Sequence, residues 1–354
     1  MSYKFTQLSE GKKLMTLSPS RSLIAAIALS ATAFPVLAQE VNVYSSRHYD
    51  TDDALYQEFT DRTGITVNRI EAKADELIAR MQAEGDNSPA DVFLTVDVGR
   101  ASRAEEAGVL QAFTSDVIEE RIPPHLRDPE NMWFGVSQRA RIIFYAKDRV
   151  DNPPRTYEEL ADPKWKDTIC IRSGSNIYNL SLLAGIIDVH GEEAAREWAS
   201  GVLANMARPP QGGDTDQLRG IVSGECDIAV SNQYYYLRGF EGEVDGLTSG
   251  LDNLGFVWPN QGDRGAHVNL STVAKAANAP NSEEADKLLE FFTSDFAQAH
   301  FAGQNNEYPA VSGVPLDEDT ARMGIFIPDT QTSTAVYGDN AATAQAIYNE
   351  IGWN

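Results

Sequence analysis

The chain has 354 residues, 42% of them hydrophobic and 23% charged, with a formal net charge of −23. That length suits a large core or two lobes, and so acidic a surface repels nucleic acid and anionic lipid. It fits a soluble protein that attracts cations, although dispersed acid is mostly a solubility trait and identifies no cation site by itself.

The first 38 residues read as a leader. Lys12, Lys13 and Arg21 precede an apolar stretch from Leu23 to Leu29, lengthened by Ala31 to Leu37, and Val36-Leu37-Ala38 is a small-residue cleavage site before Gln39. The apolar part is short and alanine-rich beside the roughly 20 strongly apolar residues of a membrane anchor. Export is therefore expected, with Met1 or Met15 as the start, and the absence of cysteine at the cleavage site argues against a lipid anchor. Residues 1–38 carry four basic side chains and one acidic one, so the remaining 316 residues stand at −26.

After the leader, strands and helices alternate at α/β spacing. Val41–Ser45 predicts a strand, a helix follows from about Thr51 to Gly64, Ile65–Ile70 a strand, Ala74–Glu84 a helix with Gly85 at its end, and Asp91–Val96 a buried strand. A βαβαβ run of this kind implies a parallel sheet with ligands at the carboxyl ends of its strands. A second α/β segment places strands at Arg141–Lys147, Thr168–Arg172 and Cys226–Ser231, a short helix at Tyr157–Leu160 and two helices between Ile177 and Met206. Ala266–Leu270 then reads as a strand and Glu283–Phe301 as one long amphipathic helix. With no clear linker between the halves, the expected architecture is two lobes joined by crossing strands. The two cysteines, Cys170 and Cys226, both fall in strand-like runs. An even pair in an oxidising compartment is more often bridged than free; two buried thiols are the other reading.

The run Asn232-Gln233-Tyr234-Tyr235-Tyr236 is hard to explain by packing, because neighbours point to opposite faces of a strand and splay by about 100° on a helix. At a strand-to-helix turn, however, two adjacent tyrosines can converge, and two phenolate oxygens suit a hard cation such as Fe3+. An aromatic patch around a turn is the competing reading. Phenols also follow predicted strands at His48-Tyr49 and at Tyr178, so all three places open at the same kind of edge. If the lobes face each other, they line one cleft. Taken alone, Tyr178 would be a helix-start aromatic and His48 a surface or capping histidine.

At these residues the sequence resembles the ferric-iron substrate-binding proteins of bacterial ABC transporters, of the cyanobacterial FutA type and more broadly FbpA-like. The resemblance is carried by Ser45-Ser46-Arg47-His48-Tyr49-Asp50, Asn87-Ser88-Pro89-Ala90-Asp91, Arg139-Ala140-Arg141, Ser175-Asn176-Ile177-Tyr178-Asn179, Asn232-Gln233-Tyr234-Tyr235-Tyr236, Gly265-Ala266-His267-Val268-Asn269 and Asn305-Asn306-Glu307-Tyr308-Pro309. It implies a bilobal α/β periplasmic-binding-protein fold of type II. The lobes would be residues 39–138 with about 266–311, and about 139–265 with 312–354. It implies Tyr234 and Tyr235 as paired tyrosinate ligands, Tyr178 from the same lobe and Tyr49 from the opposite one. His48 matches a position that ligates iron in some relatives and turns away in others, and Tyr236 matches a position that is usually not a ligand, so packing is its expected role. Four phenolates on Fe3+ leave a charge of −1, so a guanidinium is expected nearby; Arg139 and Arg47 are the candidates, against the alternative of two solvated surface charges.

The function so implied is non-enzymatic: periplasmic capture of Fe(III) by a monomer that delivers it to an inner-membrane ABC permease, with no nucleic-acid partner and no membrane insertion. Two other classes remain open on the residues alone. One is an organic-cation-binding protein with an aromatic cage. The other is an exported hydrolase or transferase on the same architecture, although no Gly-x-Ser-x-Gly elbow occurs.

Overall fold

A computed structural model describes residues 39–47 and 51–354. The expected leader and the His48-Tyr49 pair lie outside the described residues.

The first strands and helices form as their periodicity predicts: β1 (Glu40–Ser45), α1 (Asp52–Thr63), β2 (Thr66–Glu71), α2 (Ala74–Glu84) and β3 (Val92–Val96); α3 (Val98–Glu106), which was not expected, follows. β1 pairs in parallel with both β2 and β3. Leu77, Ile78 and Met81 put the apolar stripe of α2 into the core, with Leu55 and Phe59 of α1 in the same cluster. Each such side chain taken out of water contributes about 1.5–3 kcal/mol. A short β4 (Leu110–Gln111) and α4 (Asp116–Arg121) lead into β5 (Phe134–Ala146).

β5 is the crossing element. Its first part pairs antiparallel with β9 (Val268–Ala276), as far as Ala140 opposite Val268. From Arg141, opposite Asn232, it pairs with β7 (Ile228–Asn232), and from Ile143 with β8 (Leu254–Val257). The predicted strand at Arg141–Lys147 is thus only the second half of a 13-residue strand. Its first half was missed because it is buried on both faces and carries Gly135, Ser137, Gln138 and Arg139, which blur any alternation. Between β5 and β7 lie β6 (Ile169–Cys170), α5 (Ile177–His190), α6 (Glu192–Ala204) and α7 (Asp214–Ser223). β6 pairs in parallel with β7 over two residues, far shorter than the Thr168–Arg172 expected. The path through the sheet runs β2-β1-β3-β9-β5-β7-β6.

After β7 the chain turns at once into α8 (Gln233–Glu241). The Gln233 side chain fixes that turn, accepting from Ala140 N at 2.9 Å and donating to Asn306 O at 2.9 Å. A second crossing lies at Ala266, which bridges Pro328. Gly265 there has φ +96, and a Cβ would stand 2.6 Å from Pro328 O, so only glycine fits.

The long helix expected over Glu283–Phe301 is two helices, α9 (Ser282–Phe291) and α10 (Asp295–Asn305). Ser294 divides them: its backbone is extended and its Oγ accepts from Ala297 N at 3.3 Å, a helix-start cap in mid-pattern. β10 (Tyr308–Pro309), α11 (Glu318–Arg322), α12 (Val336–Asp339) and α13 (Ala341–Ile351) complete the chain.

Burial divides into separate clusters. Val43, Phe59, Phe93, Leu288 and Phe292 belong to one, around β1–β3. Leu182, Trp198, Tyr348 and Trp353 belong to a second, and Phe144, Leu218, Tyr236 and Leu237 to a third, on either side of β5–β7. The architecture is the mixed α/β periplasmic-binding-protein fold. Cys170 and Cys226 are joined in a disulfide, with Cα atoms 5.8 Å apart. Both sulfurs rest against Gly220 of α7, where an added Cβ would lie 2.7 and 2.9 Å from them.

A candidate tyrosine-lined metal centre

Tyr178 is the second residue of α5, and Tyr234 and Tyr235 are the second and third of α8. Asn176 caps α5 by accepting from Tyr178 N at 3.0 Å. All three phenols therefore stand in the first turn of a helix, where the partial positive charge of the free N–H groups favours an anion.

The two helix starts converge. Tyr178 Oη and Tyr234 Oη are 3.3 Å apart, and the Tyr234 and Tyr235 rings pack with centroids 4.3 Å apart. Tyr234 is buried and Tyr235 half-buried. Tyr236 turns away into the third cluster, against Phe240 and Phe144 at 5.1 and 5.4 Å.

Burial pushes the Tyr235 phenol above its usual pKa, helped by the neighbouring Tyr178 oxygen and the Asp214 carboxylate. A trivalent cation would reverse that preference, since coordination displaces the proton of an acidic ligand.

Arginines surround the phenols. Arg139 stands 5.7 Å and Arg172 5.5 Å from the Tyr178 ring, while Arg238 lies 4.9 and 5.0 Å from the rings of Tyr234 and Tyr235. Arg139 and Arg47 are each only 2% exposed, so neither is a solvated surface charge. Arg47 pairs with Asp52 at 3.0 Å and with Glu307 at 3.4 Å; Arg139 pairs with Glu307 at 3.5 Å. Burial alone would lower the Arg139 pKa, but Glu307 and the phenol oxygens of Tyr178 and Tyr234 hold it above its ordinary value. Ser137 and Ser271 also donate to Glu307.

Sequence reasoning missed Arg238, Arg172 and Glu307. Arg238 was legible in principle, standing four and three residues beyond the tyrosines on one helix. Arg172 and Glu307 reach the site only through tertiary contacts. Arg139, Arg141, Tyr178, Asn232, His267 and Asn269 close on one another around a crevice too tight to hold a water molecule. Tyr178, Tyr234, Tyr235 and Arg139 are thus brought together, and Arg47 is tied to Arg139 through Glu307.

The family model for bacterial extracellular solute-binding proteins matches residues 87–324. Iron uptake protein A1 of Synechocystis is 50% identical over 316 residues, covering 89% of this chain and 88% of that protein. The major ferric iron-binding protein of Neisseria meningitidis serogroup B is 30% identical over 294 residues, covering 81% and 85%. Among solved structures, the FutA (IdiA) protein of Trichodesmium in complex with iron and citrate superposes with a TM-score of 0.86 at 48% identity, covering 89% of this chain and all of that one. The chain accordingly belongs to the bacterial extracellular solute-binding proteins, in the FutA/IdiA iron uptake family of non-enzymatic binding proteins.

Proposed function

We propose that this protein captures Fe(III) through tyrosinate ligands between two lobes in the periplasm and hands it to an ABC permease in the inner membrane. Tyr178, Tyr234 and Tyr235 supply three oxygens from one lobe, residues about 139–265 with 312–354. Tyr49, and His48 where it turns inward, supply the rest from residues 39–138 with about 266–311. The single observation that carries the reading is the 3.3 Å approach of Tyr178 Oη to Tyr234 Oη, with the Tyr235 ring packed at a tilt alongside.

Three phenols at one point make a poor site for an apolar ligand. As phenolates they make a good one for a small, hard, highly charged ion. Arg139, with Arg47 behind it, balances the surplus negative charge, and Arg172 and Arg238 add to that field. The relatives' names point the same way, since the Neisseria protein is a ferric iron-binding protein and the Trichodesmium structure holds iron and citrate.

Export through residues 1–38 accounts for the compartment, and a permease accounts for the onward step. Titrating metal-free protein with ferric iron tests the reading, because ferric tyrosinate absorbs visible light. An organic-cation cage or a hydrolase stays colourless.

A further inference from the structure

We propose that Arg141 is the positioning residue that sets the spacing of the ligand oxygens. The inference rests on the tyrosinate reading above and adds a role for a side chain that touches no ligand.

Arg141 is the residue at which β5 leaves β9 and joins β7, opposite Asn232. Its side chain is 1% exposed. The guanidinium spends its fork on three neighbours of the tyrosines. Nε and Nη2 donate to Asn179 Oδ1 at 3.1 and 2.7 Å, and Asn179 directly follows Tyr178. Nη1 donates to Asn232 Oδ1 at 3.1 Å, and Asn232 is the residue just before the helix that carries Tyr234 and Tyr235. Nη1 also pairs with Asp214 Oδ2 at 2.9 Å, the oxygen that receives Asn232 N at 2.9 Å.

The other contacts of this node face the same loops. Asn179 Nδ2 donates to the carbonyls of Arg172 and Ser173 at 2.8 and 3.1 Å, which fixes the path into α5. Asp214 Oδ1 accepts from Arg172 Nη1 at 3.1 Å. One planar cation thus ties the start of α5 to the start of α8, adding to the two-residue β6–β7 pair, the Cys170–Cys226 bridge and the Asp214 contacts that join the same segments. Lysine cannot copy this, since its single ammonium lacks the fixed fork that reaches both asparagines at once.

Ligand spacing is what such a tie controls. Two phenolates on one cation must hold a set oxygen separation, and loosening either helix start by a few tenths of an ångström changes both affinity and the colour of the complex. A residue serving stability alone would lower the melting temperature and leave the iron spectrum of the folded protein unchanged.

The test compares wild type, Arg141→Lys and Asn179→Ala by titrating full-length mature protein with ferric nitrilotriacetate and recording the visible band, with circular dichroism to select folded protein. Both variants are expected to bind iron at least tenfold more weakly, in the range seen when outer-shell residues of metal sites are lost, and to shift the band maximum. Folded Arg141→Lys with wild-type affinity and an unmoved band would overturn the proposal. If that variant does not fold, the same outcome in Asn179→Ala overturns it. A wild-type protein with no visible band would overturn the ligand reading, and this inference with it.

Discussion

Ser181 Oγ donates to Asp97 Oδ1 at 2.9 Å, joining α5, one turn beyond Tyr178, to the turn that ends β3. Asp97 is fully buried at φ +85. It also accepts from Gly99 N at 3.0 Å and from Asn269 Nδ2 at 2.8 Å on the crossing strand β9. A non-glycine residue in this conformation costs about 1 kcal/mol or more, and its persistence reflects how many contacts determine it. The bond links the first core to the helix that carries a proposed ligand. Ser181→Ala removes about 1 kcal/mol of hydrogen bonding, and iron loss to an excess chelator should quicken by roughly fivefold. An unchanged rate would show that this bond does not help retain the metal.

Tyr234→Phe and Tyr235→Phe each delete an oxygen at the point of convergence while keeping the ring. Each should weaken ferric binding by well over tenfold, more than the loss of an outer-shell residue. Tyr236→Phe should leave it nearly unchanged, because that phenol faces Phe144 and Phe240. Equal losses at all three positions, measured by competition with a chelator, would remove the basis for the assignment.

The convergence of these phenols was legible in the sequence because a Tyr run falling just after a predicted strand needs only local geometry. The βαβαβ opening was legible for the same reason. Arg139 could be singled out by its motif, yet its buried partner Glu307 stands 168 residues away, and no local pattern ties the two. Arg141 was hidden similarly: its partners Asn179, Asp214 and Asn232 meet only after the chain folds. The break at Ser294 carried a local signal, serine then aspartate, that the continuing apolar periodicity obscured.

His267 sets a pH window. Burial, with the charges of Arg141, Arg264 and Arg139, pulls its pKa from 6.5 down to about 3. It is neutral when folded and takes up a proton when unfolded between those values. This contribution is whole above pH 6.5 and is lost as pH falls toward 3, with a slope approaching about 1.4 kcal/mol per pH unit. Chemical denaturation of the apo protein at a series of pH values should show His267→Gln with a shallower acid slope. Parallel slopes would mean that carboxylates alone govern the acid limb.

The Cys170–Cys226 bridge braces the same region, since Tyr178 and Tyr234 each stand eight residues beyond one of the two cysteines. Replacing both cysteines with serine should lower apo stability by about 2–4 kcal/mol in the chain-entropy model. Gly220→Ala, which presses a methyl group onto both sulfurs, should cost about 1–3 kcal/mol with the bridge intact. Urea denaturation distinguishes these values from none.

Ferric titration of metal-free protein at neutral pH, followed by visible absorbance and by proton release into weak buffer, tests the central claim most directly. An orange-red band should rise to saturation at one iron per chain, with protons released in step, and should fade on acidification before the fold is lost, because each phenol must give up a proton to bind. Saturable iron uptake without the band, or without protons released, would contradict tyrosinate capture.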